Sequence, residues 1–401
     1  MGQGWELFNV SLLQCASAAG GYQLWGKFFS KQKFLVRSLA IPYPVPELAG
    51  YIANAPFAGP IAKKGLLSLP DEILDMILMH DDLPIFDSAC LAITCKKLLA
   101  LAERSQFLEC GRDNVSAGWA GCQIVCLGEY ATLEKAPENL FPPDMKANMR
   151  TYFKAKDMED TEDCYAGLYE INCVDATHNG VLYHGVWEYR HRDFVASLPV
   201  ADRRLFIAAM GVTFPERYDW ALFNIVKHEY VRAGALAELS GRPDDVQPFL
   251  QNCPIDLGTA LLTRFCYSSD PSTSLNNKSV GIHHGKWVGD RFTVDTIERV
   301  KQRQPKLEWK DVTDEVIADI KTIYVDEYEK PWEELPRRYC DQRSEAWYFT
   351  WDDAKMLNEL LPGFRPLKPS RKPPSLRRKS PSLHSTLKST STVTRRRCAS
   401  L

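Results

Sequence analysis

Between Leu66 and Phe107 the chain is crowded with Leu, Ile and Ala at helical spacing, in a stretch too short to hide them. Pro70 suits a helix start, because the N–H it lacks would have no intrahelical partner in the first turn. Asp71 and Glu72 follow and complement the positive end of the helix dipole. Ile73 with Ile77, and Leu74 with Leu78, then make two adjacent apolar rows, wider than one neighbouring helix covers. Asp82-Leu83-Pro84 restarts the chain into Ile85–Ile93, and Thr94 is placed to cap a third helix running through Cys95, Leu98 and Leu101. Three short helices cannot bury this much aliphatic surface by themselves. Either the residues downstream or a partner protein must cover the excess.

The rest of the chain sets the frame for that choice. A length of 401 residues, 45% hydrophobic and 25% charged, is ample for a buried core in two or three folded units. No run approaches the 18 or so apolar residues of a membrane-spanning helix, and Met1–Val10 has no basic region ahead of its apolar stretch. Twelve cysteines are scattered from Cys15 to Cys398 without a Cys-x-x-Cys pair, which predicts free thiols in a reducing compartment. Charge is divided: 11 of the 49 Lys/Arg fall from Arg365 onward with no Asp or Glu, leaving 38 basic against 51 acidic groups upstream. An acidic body repels polyanions, so nucleic acid is not an expected partner of the body.

The pattern predicts an α+β protein in four parts. Residues 1–65, rich in turn-formers, are expected to lie extended on the body as an N-terminal extension, with a short helix near Trp25–Phe29. Residues 66–108 form the helical trio, and residues 109–364 a mixed body. Short alternating runs at 115–130 and 180–195 predict strands, and the acidic run Asp157–Asp163 a solvated loop. Trp220–Ser240 reads as a long helix with Phe223, Val226, Tyr230 and Ala237 on one face and Gly241 at its stop. Thr313 can cap another, lined by Val316, Ile320 and Ile323 and ended by Pro331, and residues 344–361 make a last helical segment. Residues 365–401, basic and rich in Ser, Thr and Pro, bury too little to offset their ordering entropy and are expected to be disordered. One echo is visible: His184-Gly185-Val186-Trp187 recurs as His284-Gly285-Lys286-Trp287, and Trp119-Ala120-Gly121 as Trp287-Val288-Gly289. It hints at a weak duplication without the regular period of a solenoid, and the tryptophans read as core anchors at strand ends.

The string Leu69-Pro70-Asp71-Glu72-Ile73-Leu74, with Ile77, Leu83, Leu91 and Thr94-Cys95-Lys96-Lys97-Leu98 in register behind it, resembles the F-box. Met1–Phe8, Ala117–Glu129, Phe223–Leu239, Ala260–Pro271 and Gly281–Phe292 resemble stretches of a large fungal F-box-like family that begins Met-Gly-Gln. The resemblance implies a substrate receptor that recruits a client protein to a Skp–cullin–F-box ubiquitin ligase. Leu69, Pro70, Ile73 and Leu74 match the adaptor-facing start of the motif. Ile77, Leu83, Leu91, Cys95 and Leu98 match its recurrent apolar positions, some of which pack internally. The implied partners are a Skp-type adaptor, through it a cullin, and a client. The expected compartment is cytoplasm, nucleus or both. The alternative is a non-catalytic scaffold whose F-box is a structural remnant buried by its own body.

Other constellations carry less. His191-Arg192-Asp193 has Leu198 where a kinase catalytic loop needs a metal-binding Asn, and no glycine-rich phosphate loop accompanies it. Cys122 and Cys126 with His178, His184 and His191 could supply zinc ligands, but i, i+4 thiols on a strand lie about 13 Å apart, so buried free thiols are expected. No nucleophile elbow marks a hydrolase within 109–330, so no catalytic residue, metal or cofactor is expected. Trp332, Tyr339, Trp347, Tyr348, Phe349 and Trp351 form an aromatic patch, read as core packing or as a groove for a client peptide. In the tail, Arg371-Lys372 and Arg377-Arg378-Lys379 fit a nuclear-import signal, with Ser380-Pro381 beside them as a phosphorylation site that would weaken it. Cys398-Ala399-Ser400-Leu401 fits the prenylation pattern except at Ser400, and membrane association enters only through a prenyl chain at Cys398.

Overall fold

The structure is a computed structural model. It describes residues 2–16, 23–29, 33–44, 65–78, 80, 83, 85–109, 118–157, 163–171, 173–175, 194, 197–199, 202–203, 205–206, 212–250, 253–276 and 279–335. The first part runs β1 (Trp5–Asn9), β2 (Gln14–Ala16), α1 (Leu24–Phe29), α2 (Lys33–Leu39) and β3 (Tyr43–Pro44). A helical stretch follows: α3 (Asp71–Leu78), α4 (Ile85–Ala92) and α5 (Lys96–Glu109). Then come β4 (Ile124–Gly128), α6 (Pro143–Ala155), α7 (Cys164–Glu170), β5 (Val174–Asp175) and β6 (Val212–Thr213). The last part holds β7 (Trp220–Asn224), β8 (Glu229–Arg232), α8 (Ala233–Leu239), α9 (Leu257–Phe265), β9 (Cys266–Tyr267), β10 (Phe292–Thr296), α10 (Ile297–Arg303), β11 (Lys310–Asp311) and α11 (Thr313–Tyr328). The α+β class expected from the sequence is what the fold shows.

Two mixed sheets carry the body. The first has the order β5-β2-β1-β4-β9 and the second β10-β7-β8-β11. Their inner faces share one core, in which Trp5, Leu7, Ile124 and Cys126 of the first sheet join Trp220, Leu222, Val231, Phe292 and Val294 of the second. Helix α9 lies in that core with all nine residues buried. Its start is set locally, since the Asp256 side chain accepts from the Thr259 N–H at 2.8 Å in a capping box. The outer face of the first sheet (Phe8, Val125, Leu127) packs under Met149 and Phe153 of α6 and Leu168 of α7. The outer face of the second (Ala221, Phe223) packs under Val300 of α10, with Trp309 against it.

Several expectations are corrected here. Residues 1–65 do not begin as an extension, because β1 is the middle strand of the first sheet and all five of its residues are buried. A strand buried on both faces loses the alternation that identifies a strand in sequence. Gln3 fixes the same segment from behind. Its Nε2 donates to the Asp270 and Ser272 carbonyls at 3.0 and 2.8 Å, and its Oε1 accepts from Tyr130 N and Ser268 Oγ. The short helix expected near Trp25–Phe29 is α1.

Trp220–Ser240 is not one helix but the β7–β8 hairpin followed by α8. Asn224 Oδ1 accepts from the N–H groups of Val226 and Lys227, both at 3.0 Å, and His228 is left-handed at φ 54°, which turns the chain back. Val226 stands 47% exposed at that turn, whereas Phe223 and Ala237 are buried in separate elements. Thr313 is the first residue of α11 rather than its cap, and Asp311 accepts from both its N–H and its hydroxyl. Val316, Ile320 and Ile323 line the buried side as expected, and the helix ends at a left-handed Glu329 before Pro331. The strand expected near 115–130 is β4, and Trp119 and Trp287 are buried core anchors. Asp163, at the end of the acidic run, caps α7 by accepting from the Tyr165 N–H at 2.8 Å. The runs at 158–162 and 180–193, the segment 344–361 and the tail 365–401 lie outside the described residues.

A buried cation ties α9 to α11. Arg264 is enclosed, and its Nη1 donates to Glu315 Oε1 at 2.9 Å while its Nη2 meets Asp319 at 3.0 Å as an ion pair. Lys286 also bonds Glu315, and these two donors, Lys286 first, hold the Glu315 carboxyl down at about 2 from its ordinary 4.5. A carboxylate whose folded value is depressed contributes stability above pH 4.5 that is lost as pH falls toward 2. Glu315→Gln should therefore flatten stability against pH across that window, by about 1 kcal/mol once solvent screening of this half-exposed group is counted. Chemical denaturation at a series of pH values checks it, and an unchanged acid limb would assign the acid sensitivity to other carboxylates.

Candidate functional site

The helical stretch α3–α5 builds a small core of its own. Leu74 and Leu78 of α3, Ala92 of α4, and Leu98, Leu99, Leu101 and Ala102 of α5 are buried together, and Leu205 packs against them from outside the stretch. The start of α3 is fixed at Pro70, whose carbonyl accepts from the N–H groups of Ile73 and Leu74, both at 3.1 Å. Lys97 reaches back from α5 to the same turn, to the Leu69 carbonyl at 3.3 Å and to Asp71 at 2.9 Å. At the far end of α3, buried Ser88 of α4 donates to the Leu78 carbonyl at 2.9 Å. Thr94 is not the cap of the third helix. Its hydroxyl bonds the Leu91 carbonyl at the end of α4, while Cys95 stands before α5 and accepts from the Leu99 N–H.

The two apolar rows read from the sequence part company in this packing. Leu74 and Leu78 turn inward, at 0% and 3% exposure. Ile73 turns outward at 41% exposure, and Met76 beside it at 66%. Pro70 is exposed, and Leu69 and Ile77 are half-buried along the same side. Leu66, one turn earlier, is exposed too. Residues three and four apart share a helix face, so Pro70, Ile73, Met76 and Ile77 form one outward apolar strip. Of the residues matched to the adaptor-facing start, Leu69, Pro70 and Ile73 keep outward surface, whereas Leu74 belongs to the interior. Among the recurrent apolar positions, Leu98 is interior, and Ile77, Leu83, Leu91 and Cys95 are half-buried. Met76 and Leu66 were missed by sequence reasoning. Met76 was visible as the residue one turn beyond Ile73 on the outward side.

The two sides make different demands on alanine. Leu74→Ala removes buried methyl groups and leaves a cavity, so it should cost about 2–5 kcal/mol of stability. Ile73→Ala should stay within about 0.5 kcal/mol. Thermal unfolding of the two variants side by side checks this, and equal losses would mean that Ile73 is covered in the folded protein.

Elsewhere the chemistry-bearing residues are drawn into the fold. Cys126 of β4 faces Cys266 of β9 across a parallel pair, and both are buried. Burial pushes the half-buried Cys122 thiol up. Among the described residues no group of three or more His, Cys, Asp or Glu is gathered as metal ligands. His178, His184 and His191-Arg192-Asp193 lie outside those residues. Trp332 packs edge-on against Tyr324 at 5.6 Å, and the other members of the aromatic patch, from Tyr339 on, lie outside. So do the basic clusters and Cys398. Among the described residues no helix is long and apolar enough to cross a membrane. Compared with protein families, curated proteins and solved structures, the chain matches no family model, no curated protein and no solved structure.

Proposed function

We propose that this chain is an F-box-type substrate receptor, in which α3–α5 docks on a Skp-type adaptor and through it on a cullin, while the body holds a client protein for ubiquitination. The observation that carries the reading is the outward strip of Pro70, Ile73, Met76 and Ile77 on helices whose opposite side already has its core. A strip of aliphatic and thioether side chains in water is costly to leave uncovered and suits the dry centre of a protein–protein contact. The F-box resemblance of Leu69–Leu98 supplies the identity of the partner. An interface of roughly 1,600 Å² would have its affinity concentrated in such central anchors. The chain then contributes shape and proximity, and the chemistry of ubiquitin transfer belongs to its partners.

The test is direct association. Full-length protein mixed with a purified Skp-type adaptor should elute as a stoichiometric complex, with a dissociation constant of about 1 μM or below. Absence of a complex at concentrations of about 50 μM, well above that constant, would overturn the reading.

A further inference from the structure

The central strands of the two sheets match in register. Hairpin β1–β2 pairs Leu7 with Ala16, Phe8 with Cys15 and Asn9 with Gln14, and β7–β8 pairs Leu222 with Val231, Phe223 with Tyr230 and Asn224 with Glu229. The strands read Trp5-Glu6-Leu7-Phe8-Asn9 and Trp220-Ala221-Leu222-Phe223-Asn224. Both turns use the same device. Asn9 Oδ1 accepts from Leu12 N as Asn224 Oδ1 accepts from Lys227 N, and Leu13 and His228 are left-handed at φ 51° and 54°.

On the other side of each hairpin the neighbours match as well. Asn9 pairs with Ile124 and Trp5 with Gly128, as Asn224 pairs with Phe292 and Trp220 with Thr296. Each of these partner strands is entered through a Trp-x-Gly turn. Cys122 N bonds Trp119 O and Asp290 N bonds Trp287 O, both at 3.1 Å, with Gly121 and Gly289 at φ 76° and 81°. The indole of Trp119 donates to Gln14 at 2.8 Å, and that of Trp287 to Glu229 at 2.6 Å. Gln14 and Glu229 begin β2 and β8, and each pairs in parallel with a late strand, at Val174 and Lys310. Equivalent residues Gln123 and Arg291 bridge each other antiparallel, as a two-fold axis between the sheets requires.

At one edge of each sheet a pairing comes from the opposite half, through the short strand β9 in the first sheet and a single bridge at Ala40 in the second. Cys266, following α9, pairs in parallel with Cys126, and Ala40, following α2, pairs in parallel with Val294. Trp119 N correspondingly bonds Ser38 O at 2.8 Å and Trp287 N bonds Arg264 O at 2.7 Å. The halves differ in what connects Ala40 to Trp119 and Cys266 to Trp287. In the second half residues 267–286 suffice, whereas in the first the connection is 41–118 and contains all of α3–α5.

We infer that the body is one folding unit present twice, with a short edge segment exchanged between the two, and that α3–α5 is an arm inserted into the first unit which the body does not need for its fold. The arm's own core supports this, because its buried residues are drawn from α3, α4 and α5 themselves, with Leu205 as the described residue from outside the arm that packs against them. The identity of the arm's partner rests on the function proposed above, but its separability does not.

The experiment uses the full chain with recognition sequences for a site-specific protease placed within 51–60 and within 111–116. After cleavage, the arm should elute apart as a small fragment. The flanking pieces, which hold β1 and β4 of one sheet between them, should coelute with a thermal midpoint within about 5 °C of the uncut protein. A larger fall in midpoint, or an arm that stays in the body peak, overturns the inference. Trp119→Phe and Trp287→Phe test the equivalence of the units, since each removes one indole N–H bond at matched positions. Their midpoints should fall by amounts within about two-fold of each other, and a wider disparity overturns the duplication. Failure of the adaptor to bind the freed arm would count against the proposed function alone.

Discussion

Ile73→Glu combined with Met76→Lys should weaken adaptor binding about 1,000-fold while leaving the thermal midpoint unchanged. Both side chains stand outward, so neither substitution opens a cavity. Glu at 73 falls in the first turn of α3, where negative charge meets the positive end of the dipole, and Lys at 76 lies four residues after Glu72, the favourable order for an ion pair. The interface instead receives two charges where it expects apolar anchors, and loss of two anchors at about 2 kcal/mol each amounts to the stated factor. Calorimetry with the purified adaptor and a melting curve on the same sample measure both quantities. Undiminished binding would show that the strip is not the docking face. Unfolding of the variant would favour the remnant reading, in which the chain itself covers the strip.

Gly285→Ala should destabilise the body by about 3 kcal/mol or more, lowering the midpoint by roughly 4–5 °C or more. A methyl group there would lie 2.1 Å from the Arg264 carbonyl oxygen and 2.7 Å from Phe265 N. Those atoms are backbone at the end of buried α9 and cannot rotate away as a side chain would. The loop is held there on both sides, since Gly285 N bonds Cys266 O at 2.9 Å and Trp287 N bonds Arg264 O at 2.7 Å. Gly281→Ala serves as control, because a Cβ there meets nothing within 4 Å. Equal behaviour of the two variants would contradict the close approach.

What could be read from the sequence follows the kind of signal each element leaves. The helical trio was legible because its apolar residues recur at helical spacing and Pro70, Asp71 and Glu72 punctuate its start. Which row faces outward was not, because Ile73 and Leu74 are equally apolar and packing against Leu98 and Leu99 decides between them. The hairpin over Trp220–Arg232 was misread because Phe223, Val226 and Tyr230 fall at helical intervals by coincidence, while the turn depends on Asn224 and a left-handed His228. The repeat at Trp5–Asn9 and Trp220–Asn224 is present in the letters. The inserted arm lengthens one half, so no constant period survives, and what shows in the sequence is the pair of Trp-x-Gly turns beside a His-Gly-x-Trp echo whose first copy, at 184–187, lies outside the described residues.

The exchanged edge segments set an order of events during synthesis. Strand β1 and its hairpin leave the ribosome long before Cys266, which closes one edge of their sheet, and Ala40 must wait for Val294. Neither sheet can be completed until nearly the whole body has been translated. Pairings this distant in sequence form slowly, and the waiting edges are open to other chains meanwhile. The nascent protein should therefore depend on chaperones until β11, at residues 310–311, has emerged, and mature abruptly once it has.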